Sequence, residues 1–216
     1  MKTKLNTDGI ILDIDGTIWN TTPIVAEAWN HAIKSICPMI PLVTAEILQG
    51  QFGKPMNVIA DNLFKGITQE ERELLLDACC RFEQKAITEN KTDITYPGVI
   101  KGIKTLAEKY RLFIVSNCQD GYIELTMHKN GIESYITDFE CYGRTGKGKA
   151  DNIRLVVERN NLKAPVYVGD TEGDLTASEE AGVPFVWASY GFGKNLSESR
   201  VSAVLTKFED LLSITD

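Results

Sequence analysis

Asp13 and Asp15 stand two residues apart at the end of an apolar run, Ile10-Ile11-Leu12, and are followed at once by Gly16 and Thr17. A short apolar run closed by a Gly turn reads as a buried parallel strand. Its carboxyl end opens into the crevice where α/β sheets bind ligands. In a two-residue alternation Ile14 faces away, so Asp13 and Asp15 can share one space. Two carboxylates so placed repel each other and need a cation, a proton, or both. Three further polar clusters lie at or just beyond apolar stretches: Ser116 with Asn117, Lys149, and Asp170 with Asp174. The last pair, four residues apart across a strand-to-helix turn, can converge on one side of the first helical turn.

Elements that would position these clusters follow from the pattern of the chain. Thr22 is expected as a helix N-cap with Pro23 at the first helical position, and Ile24, Ala28, Ala32 and Ile36 recur at helical spacing. Shorter helical patterns cover 44–48 and 56–64, with Gly50, Gly53 and Pro55 breaking the stretch between them. A long helix over 68–88 opens on a Thr68/Glu71 capping box. Residues 21–94 thus read as helical, without a convincing strand. From Tyr96-Pro97-Gly98 onward the texture changes. Helices at 99–109, 121–130, 150–160, 171–181 and 208–212 alternate with strands at 112–116, 136–141, 166–170, 184–188 and 203–205, and residues 143–148 form a Gly-rich basic loop. Such alternation predicts an α/β fold, a doubly wound Rossmann-like parallel sheet. The core would comprise residues 1–20 and 95–216, with 21–94 inserted as a helical domain.

Composition limits the function classes. A chain of 216 residues, 43% hydrophobic and 25% charged, can bury a sizeable core and is expected to be cytoplasmic. A net charge of -7 without a basic run argues against nucleic acid, and no apolar stretch has membrane-spanning length. Five cysteines, Cys37, Cys79, Cys80, Cys118 and Cys141, lack paired ligand spacing and read as reduced thiols. His31 and His128 stand alone, without a zinc pattern.

In order and context, Asp-x-Asp-Gly-Thr at 13–17, Ser116-Asn117, Lys149 and Gly-Asp-Thr-x-x-Asp at 169–174 resemble the four motifs of the haloacid dehalogenase superfamily of phosphotransferases. The resemblance spans essentially the whole chain. It implies that Asp13 attacks phosphorus and forms an aspartyl phosphate, while Asp15 protonates the leaving oxygen and later activates water. Mg2+ would bind Asp13, the backbone carbonyl of Asp15, and Asp170, with Asp174 as ligand or supporting partner. Thr17, Ser116 and Asn117 would hold phosphoryl oxygens, with Lys149 as a fixed positive charge. Lys147 shares the loop, but Lys149 immediately precedes the next helix, as the family's lysine often does.

About a hundred residues separate Thr17 from Ser116, whereas 32 lie between Ser116 and Lys149, so a cap fits only in the first gap. A helical cap there is similar to the phosphoglycolate phosphatase and β-phosphoglucomutase branch, and implies closure over the core. Trp19, Gly53 and Lys54 are the residues placed near substrate selection by that likeness. Asn20 departs from the aspartate common at its position. The leading reading is a phosphatase of a small phosphorylated metabolite, with its oligomeric state open. Gly169 before Asp170 resembles phosphatases, whereas sugar phosphomutases usually carry an acid there. Dehalogenases lack the second aspartate, and a receiver domain would lack the Asp-Gly-Thr continuation and the long insert. A phosphonate hydrolase using Lys54, or a non-catalytic phosphate-binding regulatory protein, is the remaining alternative.

Overall fold

The computed structural model describes residues 4–215, so the first three residues and the last of the expected core lie outside the described residues. Strand β1 (Gly9–Leu12) is followed by helices α1 (Thr22–Ile36), α2 (Ala45–Gln49), α3 (Met56–Leu63) and α4 (Gln69–Glu89). Then come α5 (Val99–Ala107), β2 (Arg111–Ser116), α6 (Tyr122–Asn130), β3 (Ile136–Cys141), α7 (Tyr142–Thr145) and α8 (Lys149–Arg159). The chain ends with β4 (Pro165–Gly169), α9 (Glu172–Ala181), β5 (Phe185–Ala188), β6 (Ala203–Leu205) and α10 (Asp210–Ile214). It divides into two compact units, Met1–Asn20 with Thr95–Asp216, and Thr21–Ile94.

The first unit is built on six strands in the order β3-β2-β1-β4-β5-β6, each paired in parallel with its neighbour. Both faces of the sheet are covered, so strands such as Ile10-Ile11-Leu12 and Val166-Tyr167-Val168 are apolar without alternation. The expected doubly wound α/β sheet is therefore present. The strand order reverses between β1 and β4, and a crevice forms at such a switch point. Asp13 and Asp170 each lie one residue beyond those two strands.

In the second unit, Trp29 of α1 donates its indole N–H to the buried Glu83 of α4 at 2.8 Å. Asn30 brackets Val43 through both its amide oxygen and nitrogen, each at 2.8 Å. Among the described residues, no helix is long and apolar enough to cross a membrane.

Several local expectations need correction. Helix α1 is capped by Thr21 rather than Thr22, because the Thr21 carbonyl already accepts the Val25 N–H at 2.9 Å. Residues 142–145 make a helical turn inside the expected Gly-rich loop: Thr145 bonds back to the Cys141 carbonyl at 3.1 Å, and Gly146 (φ 65) ends the turn. The closing helix starts at Asp210 and not at 208, since Asp210 accepts the Thr206 N–H and hydroxyl and holds 206–209 as a turn. Helix α4 begins on the expected capping box, with Thr68 and Glu71 satisfying each other's backbone N–H groups. Thr68→Ala is expected to lower the unfolding free energy by ~1 kcal/mol, read by urea titration. An unchanged midpoint would show that this cap carries no weight.

Candidate active site

The end of β1 departs from simple strand alternation. Pairing stops at Leu12, and the Ile14 carbonyl then accepts the N–H groups of Thr17, Ile18 and Trp19 at 3.1, 2.7 and 3.3 Å. Gly16 (φ 86) turns the chain in the left-handed region, and a Cβ there would strike the Asp170 carboxylate. Asp13 and Asp15 therefore leave the turn toward different partners. Asp13 meets Lys149 at 2.9 Å, while Asp15 accepts the Tyr122 hydroxyl at 2.9 Å.

Lys149 is the first residue of α8 and is 4% exposed. Its ammonium reaches Asp13 and also Asp174, at 2.5 Å. Lys147, by contrast, is exposed, and its backbone N–H bonds the Thr145 hydroxyl at 3.1 Å. Asp174 has both oxygens engaged. Oδ2 accepts from Asp170 N, Thr171 N and Thr171 Oγ1 in a capping box, and Oδ1 takes Lys149 with the Tyr167 hydroxyl 3.3 Å away. Asp170 is held on one side only. Its Oδ2 accepts the Phe192 and Gly193 N–H groups at 2.6 and 3.2 Å, and its carbonyl accepts the Trp187 indole at 3.0 Å. Oδ1 of Asp170 is buried with no hydrogen-bond partner among the described residues.

Charge follows from that geometry. Burial pushes Asp13 up to about 6, with Lys149 opposing and Asp174 adding to the rise. Burial also drives Asp170 well above the usual carboxylate range, helped by the charges of Asp174 and Asp13. Burial works against ionised Asp174 too, but Lys149 and the Thr171 hydrogen bonds prevail and hold it below the ordinary value. Burial alone would lower Lys149, yet the two aspartates outweigh it and keep the ammonium charged. Ionising all three carboxylates against one ammonium would leave two negative charges uncompensated, which adds to the rise that burial sets for Asp170 and Asp13. The ligand atoms of Asp13, Asp170 and Asp174 lie within 4.8 Å of one another, a spacing suited to a hard divalent cation. The unpartnered Oδ1 of Asp170 fits such an ion, whereas Asp174, with its oxygens already used, suits the role of holding Lys149 and the turn.

The other expected residues are distributed as follows. Thr17 is fully buried, its hydroxyl has no partner among the described residues, and its carbonyl accepts the Tyr190 hydroxyl at 2.9 Å. Ser116 ends β2, and Asn117 follows it directly. Trp19 is fully buried, edge-on to Tyr122, rather than lining an opening. Gly53 (φ 90) and Lys54 belong to the helical unit, where the Lys54 ammonium is exposed and donates to Gly50 O and Gln51 Oε1, both at 3.1 Å. Cys118 is buried, and burial, the Cys141 thiol and the nearby acids push its pKa well up, which opposes thiolate chemistry.

Sequence reasoning missed Tyr122, Tyr167, Trp187, Tyr190 and the Gly191-Phe192-Gly193 loop. One signal was available: two glycines two residues apart just after a buried strand mark close backbone approach. A Cβ on Gly191 or Gly193 would run into Asp170.

Fold and site together define a doubly wound α/β protein whose strand ends gather an acid cluster around one lysine. Residues 10–188 match the family described as haloacid dehalogenase-like hydrolase, and the chain belongs to that family. It is 26% identical over 223 residues to a phosphoglycolate phosphatase of Vibrio vulnificus (strain YJ016), covering 95% of this chain and 94% of that one. A plasmid-borne phosphoglycolate phosphatase of Cupriavidus necator is 25% identical over 190 residues, 85% of this chain and 81% of the relative. The crystal structure of a predicted phosphoglycolate phosphatase from Haemophilus somnus superposes with a TM-score of 0.83 at 22% identity, covering 100% and 99% of the two chains, and shows the shared fold.

Lys149→Met would leave Asp13 and Asp174 buried without a counter-charge. In chelator it is expected to destabilise the protein by ~3–5 kcal/mol. Adding Asp174→Asn should return part of that loss. A Lys149→Met variant as stable as its parent would contradict the charge arrangement.

Proposed function

We propose that this chain is a magnesium-dependent phosphatase that hydrolyses a small phosphorylated metabolite through an aspartyl phosphate on Asp13. The observation that carries the reading is the acid cluster itself, with Asp13 fixed by Lys149 next to a buried Asp170 oxygen that lacks a partner among the described residues. Magnesium would be held by Asp13, Asp170 and the main-chain carbonyl of Asp15, with Asp174 behind them. Bound there, it supplies positive charge that neutralises phosphoryl oxygens.

The chain's own residues carry the remaining work. Asp13 attacks phosphorus as its ester P–O bond breaks, and the departing oxygen takes the proton held by Asp15. Asp15, now ionised, accepts a proton from water as that water attacks the acyl phosphate, freeing inorganic phosphate and restoring Asp13. Ser116, Asn117 and the buried Thr17 hydroxyl hold phosphoryl oxygens during both transfers, and Lys149 keeps the Asp13 carboxylate aimed. The inserted helical unit acts in this reading as a cap that selects the leaving group, with Gly53 and Lys54 as its candidate selectors, while the fully buried Trp19 is left to packing.

Two observations favour this reading over its neighbours in the family. A Cβ on Gly169 would meet Asp174 at 2.7 Å, so the acid usual in sugar phosphomutases would displace Asp174. Lys54 is solvated and donates to its own loop, whereas a Schiff-base lysine needs desolvation to lose its proton. The activity named for the Vibrio and Cupriavidus relatives puts small carboxylate-bearing phosphate esters first among substrates to assay.

Hydrolysis of p-nitrophenyl phosphate is expected to require magnesium, to stop on chelation, and to be abolished by Asp13→Asn. Full turnover by metal-free enzyme, or by Asp13→Asn, would sink the proposal. Magnesium should also raise the melting temperature of the parent by binding the folded state, and Asp170→Asn should remove that rise.

A further inference from the structure

Asp15 is held by a residue outside the family motifs. The Tyr122 hydroxyl donates to its Oδ1 at 2.9 Å, from a position 107 residues away in the chain. Tyr122 is the first residue of α6, directly after the Gly121 turn (φ 83). Its side chain is buried, and its ring meets the Trp19 indole edge-on, with centroids 5.8 Å apart at 71°. Trp19 is fully buried, and its backbone bridges Asp15 on one side and Thr95 on the other. Packing therefore fixes where the Tyr122 hydroxyl points.

That placement bears on proton transfer. Asp15 lies beyond the end of β1, in a turn, where no regular strand pairing orients its side chain. A general acid must be within hydrogen-bond reach and correctly aimed, and a displacement of ~1 Å can cost ~10²-fold in rate. A protonated carboxyl donates through one oxygen only. A hydroxyl donor fixed on Oδ1 restrains the rotation of the carboxyl group and so its aim. Ser116 ends β2 and Asn117 opens the short connection to α6, so one loop joins the candidate phosphoryl donors to Tyr122.

We propose that Tyr122 is a positioning residue for Asp15: its hydroxyl, seated by Trp19, holds the Asp15 carboxyl in the orientation in which it serves the leaving group. The proposal rests on the phosphatase reading above. A hydroxyl that merely stabilises the fold would affect all substrates alike. One that works through Asp15 matters most where the leaving group needs a proton.

Tyr122→Phe removes one oxygen and keeps the ring against Trp19. Single-turnover phosphoryl transfer would be measured with an alkyl phosphate and with p-nitrophenyl phosphate at matched magnesium. The alkyl rate is expected to fall about tenfold, a fraction of the ~10²–10⁴-fold that general acid catalysis supplies. The aryl rate should change by less than about twofold, because p-nitrophenolate leaves without a proton, and KM should stay nearly constant for both. In an Asp15→Asn background, Tyr122→Phe should add no further loss on the alkyl substrate, since the group it aims is gone. Trp19→Phe keeps the hydroxyl but loosens its seat; it should give the same selectivity more weakly, and it decides the matter if Tyr122→Phe fails to fold. Equal losses on the two substrates, or additive losses with Asp15→Asn, overturn the assignment of Tyr122 alone. Absence of turnover by the unsubstituted enzyme overturns the phosphatase reading, and this proposal with it.

Discussion

One buried ammonium sits between two buried carboxylates: Lys149 bonds Asp13 and Asp174 at once, with all three side chains almost wholly withdrawn from water. Burying charge is expensive unless it is paired and hydrogen-bonded, so this contact constrains everything around it. Asp174 can sit there because Asp170 and the N-cap Thr171, in the turn leading into α9, feed it three further donors. Asp13 can sit there because β1, the strand at the centre of the sheet, delivers it one residue past its last pairing. Asp170 adds a third buried carboxylate, whose Oδ1 has no hydrogen-bond partner among the described residues, and this grouping of acids is what makes the cluster suited to a divalent cation.

Rigidity at this centre comes from the surrounding shell. The Gly191-Phe192-Gly193 loop and the Trp187 indole grip Asp170 from the end of β5, while the Tyr167 ring lies 5.9 Å from the Lys149 ammonium. Asp170 and Lys149 are thus each held by neighbours from different segments, the kind of support that fixes side-chain geometry at a site. Among the described residues, the buried side-chain oxygens without a hydrogen-bond partner include Asp170 Oδ1 and the Thr17 hydroxyl, the two to which ion and phosphoryl contacts are assigned under the proposed function.

The sheet was legible because parallel strands buried on both faces leave long apolar runs, and because the acids interrupt those runs at their ends. Asp13 and Asp170 stand at such run ends, Asp174 was marked by its four-residue spacing from Asp170, and Lys149 was placed by the family resemblance, from its position just before a helix. Tyr122 and Tyr167 were not: an aromatic residue at a helix start or inside a strand carries no local mark of the carboxylate it serves, and the partner of Tyr122 is 107 residues away. The separate partners of Asp13 and Asp15, Lys149 and Tyr122, could not be read from strand periodicity, since the Ile14 carbonyl collects three N–H groups and turns the chain before Asp15. The saturation of Asp174 also depends on backbone donors, which residue identities do not reveal.

The central claim is that Asp13 becomes covalently phosphorylated during turnover. Enzyme quenched in the steady state with a small phosphate ester can be reduced with borohydride, which converts an aspartyl phosphate to homoserine, and then mapped by peptide mass spectrometry. The account predicts homoserine at position 13, dependent on substrate and magnesium. Turnover that leaves Asp13 unmodified at every quench time, with the label on another residue or on none, would contradict it.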